Sequence, residues 1–172
     1  EPRQVVTYRI NRRAAWDNGT PITDADFAAQ WKALSGSDPA YRVASSSGYD
    51  QIESVAGGGD DREVVVTFRR PYGDWKALFS PLYPASTNTD PATFNDGWRA
   101  KLPTSAGPFK LESIDQTART ISLVRNPTWW GNRPKLDRIV FRVVDAPAQV
   151  DALLNGEIDV LDIAAGVKRQ ER

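Results

Sequence analysis

The stretch from Trp16 to Leu34, WDNGTPITDADFAAQWKAL, constrains the fold of this chain more than any other. Its Asn18-Gly19 pair is a strong turn signal, because glycine accepts a positive φ and asparagine tolerates one. Thr23 stands where a helix N-cap is expected, and acidic residues follow it in the first turn. The apolar residues recur at helical spacing, namely Phe27, Trp31 and Leu34. The stretch therefore predicts a strand, a tight turn and a helix with one buried apolar stripe.

Alternation of apolar and polar residues predicts strands on both sides of this unit. The predicted strands are residues 4–10, 49–56, 63–69, 109–114, 120–125 and 138–144. The last of these is apolar on both faces, which is typical of a central strand. Residues 74–80 are predicted as a short helix, and residues 85–106 as mostly irregular.

The sequence after residue 144 predicts a helix and a further strand. Asp145 is expected to cap a helix whose first turn holds Pro147. Its predicted buried stripe consists of Val150, Leu153 and Leu154. Gly156 provides a left-handed stop, and residues 158–161 are predicted to form a parallel strand after a right-handed crossover.

Histidine and cysteine are both absent from the chain. Their absence excludes disulfides and thiolate metal sites, and it removes the usual general base and the commonest metal ligand. The 22 basic and 22 acidic residues cancel, so no net charge favours nucleic acid or an anionic membrane. No apolar run approaches the roughly 20 residues that span a bilayer. Composition thus argues against hydrolase chemistry and a nucleic-acid partner, while a carboxylate pair, a lysine-based site or a carboxylate-bound Mg²⁺ stays open.

Three separated regions of the chain carry a resemblance to one family, and the second region contributes two phrases. Residues 16–27 match W-x-(D/N)-G-x-P-(I/V)-T-x-x-D-(F/V). Residues 104–111, TSAGPFKL, resemble G-T-G-P-Y-x-(L/F), with Ser105-Ala106 replacing Gly-Thr. Residues 125–131, RNPTWWG, resemble R-N-P-x-Y-W, with Trp129 replacing Tyr. Residues 154–160, LNGEIDV, resemble L-x-(S/A)-G-E-(I/C)-D. Together these phrases resemble the family 5 extracellular solute-binding proteins, the peptide-, nickel- and opine-binding components of ABC importers.

The resemblance implies an α/β fold with mixed α+β character, similar to type II periplasmic binding proteins. Members of that family have two lobes and are much longer than this chain, so the resemblance implies part of the first lobe. Residues 1–103 then correspond to its smaller subdomain, and residues 104–172 to the start of the ligand-cleft subdomain. The fragment is expected to be a monomer.

The function that the resemblance implies is extracytoplasmic binding of a solute, most often a peptide, and its delivery to an ABC permease. It implies no enzymatic activity and no cofactor. The full-length protein is expected in the periplasm or at the cell surface, anchored as a lipoprotein, with any export signal outside this chain. One alternative is a family member that regulates or interacts in the envelope without transporting. Another is a carboxylate-dependent carbohydrate enzyme, suggested by the abundance of tryptophan and aspartate.

The candidate ligand-binding residues come from two regions. In oligopeptide binders that resemble this chain, a tyrosine from the region of Tyr41 and Tyr49 can face the ligand. The residues after the third motif run along the cleft edge in similar proteins, and they are Leu161, Asp162, Ile163 and Ala164. The rule that ligands bind beyond the carboxyl ends of strands in open α/β sheets indicates the same place. The tryptophan pair of RNPTWWG is expected to pack rather than to contact ligand.

Overall fold

The computed structural model describes residues 3–99, 102 and 104–162 of the 172-residue chain. Its first sheet is antiparallel and has the strand order β1-β3-β2. The strands are β1 (Gln4–Arg9), β2 (Ile52–Gly57) and β3 (Glu63–Phe68). A 3-10 turn, Tyr49–Gln51, occupies the first part of the predicted strand 49–56, because its residues are bonded to the preceding loop instead of to β3.

The core lies on one face of this sheet. Val64, Val66 and Phe68 alternate along β3 and have no exposed surface, as their period-two spacing predicts. Helix α1 (Asp24–Leu34) covers β2 and β3, and its Phe27 lies 4.9 Å from the ring of Phe79. Aromatic side chains therefore fill most of the space between helix and sheet.

Helix α1 begins where the sequence predicts, after Thr23, whose backbone N–H donates to the carboxylate of Asp26 at 2.9 Å. The predicted apolar stripe is only partly correct. Phe27 is buried, but Trp31 and Leu34 are half-buried. The buried face also carries two polar residues, Asp26 and Gln30, because both are fully hydrogen-bonded to a neighbouring segment.

The segment after β3 differs from its prediction. Residues 74–80 form only a 3-10 turn, Trp75–Ala77, since the chain turns away at Leu78. Residues 85–106, predicted as mostly irregular, contain two short helices, α2 (Ala85–Asn88) and α3 (Pro91–Asp96). Asp90 caps α3 by accepting the N–H of Thr93 at 2.9 Å, and Pro91 occupies the first turn, where its missing donor costs nothing.

The second sheet is also antiparallel, with the order β4-β5-β6. Its strands are β4 (Phe109–Asp115), β5 (Thr120–Arg125) and β6 (Arg138–Arg142). The prediction that residues 138–144 form a central strand is wrong for the described residues, because β6 pairs only with β5 and Phe141 is 57% exposed.

The predicted buried stripe of the last helix is also wrong. A 3-10 turn, Ala146–Ala148, leads into α4 (Gln149–Leu154), on which only Ala152 is buried. Val150, Leu153 and Leu154 face away from the described residues, and Leu154 is 78% exposed. Gly156 has φ +71°, which confirms the predicted left-handed stop. Residues 158–161 form no strand, since no described strand accepts their backbone hydrogen bonds.

The two sheets fall on either side of the predicted boundary between residues 1–103 and 104–172. Residue 103 lies outside the described residues, and the division into two subdomains stays a prediction. None of the helices in the described ranges has the length and apolar character needed to cross a bilayer.

Candidate binding site

Asp17 joins the first motif to the second. Its backbone N–H donates to the carbonyl oxygen of Ser105 at 2.6 Å. Its carboxylate accepts a hydrogen bond from the hydroxyl of Thr104 and another from the hydroxyl of Ser105, the latter at 3.2 Å. The turn before α1 is thus fixed to the segment that leads into the second sheet, although 87 residues separate Asp17 from Thr104.

Asn126 fixes the same segment from the other side. Its side-chain amide donates to the carbonyl oxygen of Gly107 at 2.9 Å, and its backbone N–H donates to Pro108 at 2.9 Å. Its side-chain oxygen accepts from the backbone and the hydroxyl of Thr128. Asn126 is only 4% exposed, so these bonds satisfy a buried amide. The first, second and RNPTWWG phrases therefore meet in one structural unit.

The buried polar face of α1 holds a third segment, residues 79–85. Gln30 donates from its amide to Tyr49 Oη and to the carbonyl oxygen of Pro81, both at 3.0 Å. Its side-chain oxygen accepts the N–H of Tyr83 at 2.7 Å. Asp26 accepts the N–H of Ala85 at 2.7 Å. These bonds set the position of residues 81–85 relative to α1.

A cavity of about 750 Å³ lies between these three segments, and we name it the tryptophan cavity. That volume falls in the range of roughly 300–1,000 Å³ that is usual for small-molecule sites. The residues that line it are Trp16, Ile22, Ser80, Pro81, Leu82, Tyr83, Pro84, Trp98, Leu102, Thr104, Ser105, Ala106, Gly107, Trp129 and Trp130.

Two aromatic pairs form much of the cavity wall. The rings of Trp129 and Trp130 lie 4.8 Å apart at 43°, and Trp129 Nε1 donates to the carbonyl oxygen of Asn132 at 3.0 Å. A Cβ atom on Gly131 would lie 2.6 Å from the Trp129 ring, so glycine allows that ring to fold back. Tyr83 and Trp98 pack edge to face at 5.2 Å. Both arrangements are favourable for aromatic pairs.

Three polar side chains of the lining are hydrogen-bonded within the protein. The hydroxyls of Thr104 and Ser105 bind Asp17, and the indole N–H of Trp129 binds Asn132. Among the described residues, no charged side chain lines the cavity, and no three histidine, cysteine or acidic residues come together as a metal site would require. The described arrangement is suited to binding an apolar group.

The residues predicted to contact ligand lie elsewhere. The hydroxyl of Tyr41 donates to the carbonyl oxygen of Asn88 at 3.1 Å, and its ring packs edge to face on Phe94 at 5.2 Å. Burial, together with the nearby charges of Asp38 and Asp90, raises the pKa of Tyr41. Tyr41 therefore packs within its own part of the chain, and its role at a ligand stays a prediction.

Tyr49 supports the cavity wall from behind. Its hydroxyl oxygen accepts the N–H of Phe79 at 2.8 Å and the amide of Gln30. Leu161 and Asp162 follow α4 and are absent from the lining of the tryptophan cavity. Ile163 and Ala164 lie outside the described residues. Of the six residues predicted to contact ligand, the structure describes four, and none of these four lines the tryptophan cavity.

Sequence reasoning missed most of the residues that form the cavity. Trp98 lies in the stretch predicted as irregular, Tyr83 lies just before that stretch, and Gln30 lies on a helix face expected to be apolar. One signal was available, since Asp26 and Gln30 are four residues apart and so share a helix face. The expected packing role of Trp130 agrees with its contact with the first core, whereas Trp129 also lines the cavity.

Comparison with known proteins gives a family match over nearly the whole chain. The model described as "Bacterial extracellular solute-binding proteins, family 5 Middle" matches residues 1–171. The oligopeptide-binding protein OppA of Mycobacterium tuberculosis is 48% identical over 163 residues, which cover 93% of this chain and 28% of OppA. The probable monoacyl phosphatidylinositol tetramannoside-binding protein LpqW of the same species is 35% identical over 163 residues, covering 94% of this chain and 25% of LpqW.

A solved structure agrees with these sequence matches. The periplasmic EDTA-binding protein EppA aligns with a TM-score of 0.82 and 37% identity, over 90% of this chain and 30% of EppA. The match confirms the predicted α/β fold of the periplasmic-binding-protein type and its partial extent. The chain spans less than a third of the length of these relatives.

Proposed function

Because this chain belongs to the bacterial extracellular solute-binding proteins of family 5, we propose that it is part of a receptor that binds oligopeptides outside the cytoplasm and delivers them to an ABC transporter. The family consists of binding proteins and not of enzymes. The observation that carries the peptide assignment is the 48% identity to an oligopeptide-binding OppA over 93% of the chain. The carboxylate-dependent enzyme considered from composition is set aside on the same ground.

The geometry of the described residues supports binding without catalysis. The tryptophan cavity is large enough for a ligand group, and two of its hydroxyls, those of Thr104 and Ser105, are bonded to Asp17. Such a site fits a ligand that is held by shape and apolar contact, with orientation provided by groups elsewhere in the receptor.

The test uses a purified protein of family length that contains this chain. Calorimetric titration with a mixture of short peptides is expected to give saturable binding, and the same titration with iron-EDTA is expected to give none. Binding of the chelate alone would overturn the peptide assignment, which matters because EppA, named for EDTA binding, is 37% identical.

Delivery to a transporter needs a separate experiment. Cells from which the ABC permease proposed as its partner has been deleted should fail to accumulate a labelled peptide that the purified protein binds. Normal uptake in those cells would favour the alternative of an envelope protein that does not transport. Anchoring as a lipoprotein also stays a prediction, and mass spectrometry for an acylated N-terminus in the native protein tests it.

A second candidate ligand class has support of its own. The 35% identity to LpqW, named as a probable binder of a lipid-linked mannoside, favours a glycolipid ligand. Mass spectrometry of material that co-purifies with the family-length protein separates the two candidates. Peptide masses support the first proposal, and mannosylated lipid masses support the second.

A further inference from the structure

We infer that the tryptophan cavity is a subsite for one aromatic or large aliphatic side chain of a bound peptide, and that Trp98 and Trp129 set its selectivity. The inference rests on the proposed peptide-binding function and adds to it the kind of side chain that is preferred. It concerns a cavity that described residues line, away from the described positions that sequence reasoning assigned to the ligand.

The chemistry of the lining favours an apolar occupant. Aromatic rings, prolines and aliphatic side chains make up most of the wall, and no charged side chain is found among its described residues. A metal chelate with several carboxylates would lose its hydration there without gaining a counter-charge from those residues. An apolar side chain has no such cost, and its burial releases ordered water.

Three polar side chains of the cavity wall, Thr104, Ser105 and Trp129, already make hydrogen bonds within the protein. Thr104 donates to one oxygen of the Asp17 carboxylate, and Ser105 donates to the other. The indole N–H of Trp129 is bonded to the carbonyl oxygen of Asn132. A sugar presents several hydroxyls that each need a partner, and these donors are already engaged. These three groups are therefore less available to a sugar, whereas an apolar side chain of a peptide needs no such partner.

The aromatic pairs present surfaces that match a planar side chain. Trp98 is held edge to face on Tyr83 at 5.2 Å, and both rings remain partly exposed. The rings of Trp129 and Trp130 lie 4.8 Å apart, and the hydrogen bond from Trp129 to Asn132 fixes the Trp129 ring. Rings fixed in this way lose little conformational entropy on binding, and offset or edge contacts with a third ring add to the area term.

The test compares two tripeptides, Ala-Phe-Ala and Ala-Ala-Ala, with the protein of family length. Calorimetry of the unchanged protein is expected to show a preference of about tenfold or more for the phenylalanine peptide, which is the scale of burying one aromatic side chain. Trp98→Ala should remove most of this preference by weakening the binding of Ala-Phe-Ala more than the binding of Ala-Ala-Ala. Trp98→Phe should restore part of it.

Controls separate a selectivity effect from a folding effect. Trp31→Phe alters a half-buried indole of α1 outside the cavity and should leave the preference intact. Trp129→Tyr is a second, conservative variant of the wall and should reduce the preference to a smaller extent. Far-ultraviolet circular dichroism of each variant verifies that it is folded.

The outcomes distinguish the inference from the proposed function. If peptides bind but the preference survives both Trp98→Ala and Trp129→Tyr, or is absent in the unchanged protein, the inference is wrong and the function stands. If neither these peptides nor longer ones bind, the proposed function is wrong and the inference falls with it. If Trp98→Ala weakens a phosphatidylinositol mannoside instead, the cavity belongs to a glycolipid.

Discussion

At the residue scale, Asp17 is hydrogen-bonded through its backbone N–H and both carboxylate oxygens to the segment between the sheets. Asp17→Ala removes the hydrogen bonds to the hydroxyls of Thr104 and Ser105 while the backbone bond to Ser105 can remain. Because Thr104 is 8% exposed, its hydroxyl is left in a buried place without its partner. We expect the free energy of unfolding to fall by about 1 to 3 kcal/mol, measured by urea denaturation with tryptophan fluorescence.

Asp74→Ala is the matched control for this change. Asp74 is exposed, and its side chain makes no capping hydrogen bond to the 3-10 turn that follows it. Its removal should alter the free energy of unfolding by less than about 0.5 kcal/mol. Equal losses in the two variants would mean that the bonds of Asp17 contribute nothing measurable.

The contacts of Asp17 show which properties of a single residue could be predicted from the sequence and which could not. The motif places this residue in a turn, and the structure agrees. Its partners lie 87 and 88 residues away, and a hydrogen bond between distant segments leaves no periodic pattern to read. The same limit applies to Tyr49, which was assigned to the ligand by resemblance and supports Phe79 and Gln30 in the structure.

At the element scale, helix α3 should respond to pH through its N-cap. Hydrogen bonds from the side chain and the backbone of Thr93 hold the pKa of Asp90 below its usual value near 3.8. A lowered pKa in the folded state means that the carboxylate stabilises α3 fully above pH about 4 and loses this effect as the pH falls through the folded pKa. The difference in unfolding free energy between the unchanged protein and Asp90→Ala should therefore shrink below pH about 4.

Urea denaturation at several pH values between neutral and strongly acidic measures this difference. Asp90→Asn provides the control, because asparagine also caps helices and does not titrate. Asp90→Asn should retain the cap at neutral pH. The difference in unfolding free energy between Asp90→Asn and Asp90→Ala should then stay constant across the acidic range. A difference between the unchanged protein and Asp90→Ala that stays constant to the lowest pH would contradict the assignment.

The buried polar face of α1 gives the second prediction at this scale. Gln30→Leu keeps the size of the side chain but leaves the carbonyl oxygen of Pro81 and the N–H of Tyr83 without their partner. Since Gln30 is 1% exposed, we expect a loss of about 3 kcal/mol in the free energy of unfolding. Gln116→Leu, at an exposed turn between β4 and β5, should change it by less than about 0.5 kcal/mol. Thermal denaturation of both variants measures the contrast.

Elements with a strong local pattern could be predicted, and those that depend on distant contacts could not. The bounds of α1 follow from Thr23 and the apolar spacing, and β3 follows from its alternation. Helices α2 and α3 are short and hold few apolar residues, so α2 depends on packing against α1. The exposed stripe of α4 has the periodicity of a buried helix, and no described residue covers it.

At the scale of the whole molecule, the second sheet and α4 expose an apolar surface. Val143 is 65% exposed, Leu154 78% and Val160 82%, and Phe141 adds a further ring. Large exposed apolar side chains that gather in one part of a protein usually mark a place where other residues bind. The chain spans 28% of the OppA of Mycobacterium tuberculosis, and we expect further residues of a family-length protein to cover this surface.

The last prediction concerns peptide binding by the chain alone, since the chain spans only part of the length of its relatives. A hinged receptor binds its ligand by enclosing it between two lobes, and a ligand site usually covers most of the ligand surface. The tryptophan cavity offers one wall for one side chain, so the chain of 172 residues should bind peptides weakly or not at all. Calorimetric titration with the peptides that saturate the family-length protein measures this, and that longer protein is the positive control. Micromolar binding by the chain alone would mean that its own residues form a nearly complete site, and the assignment of the remaining contacts to further residues would then be wrong.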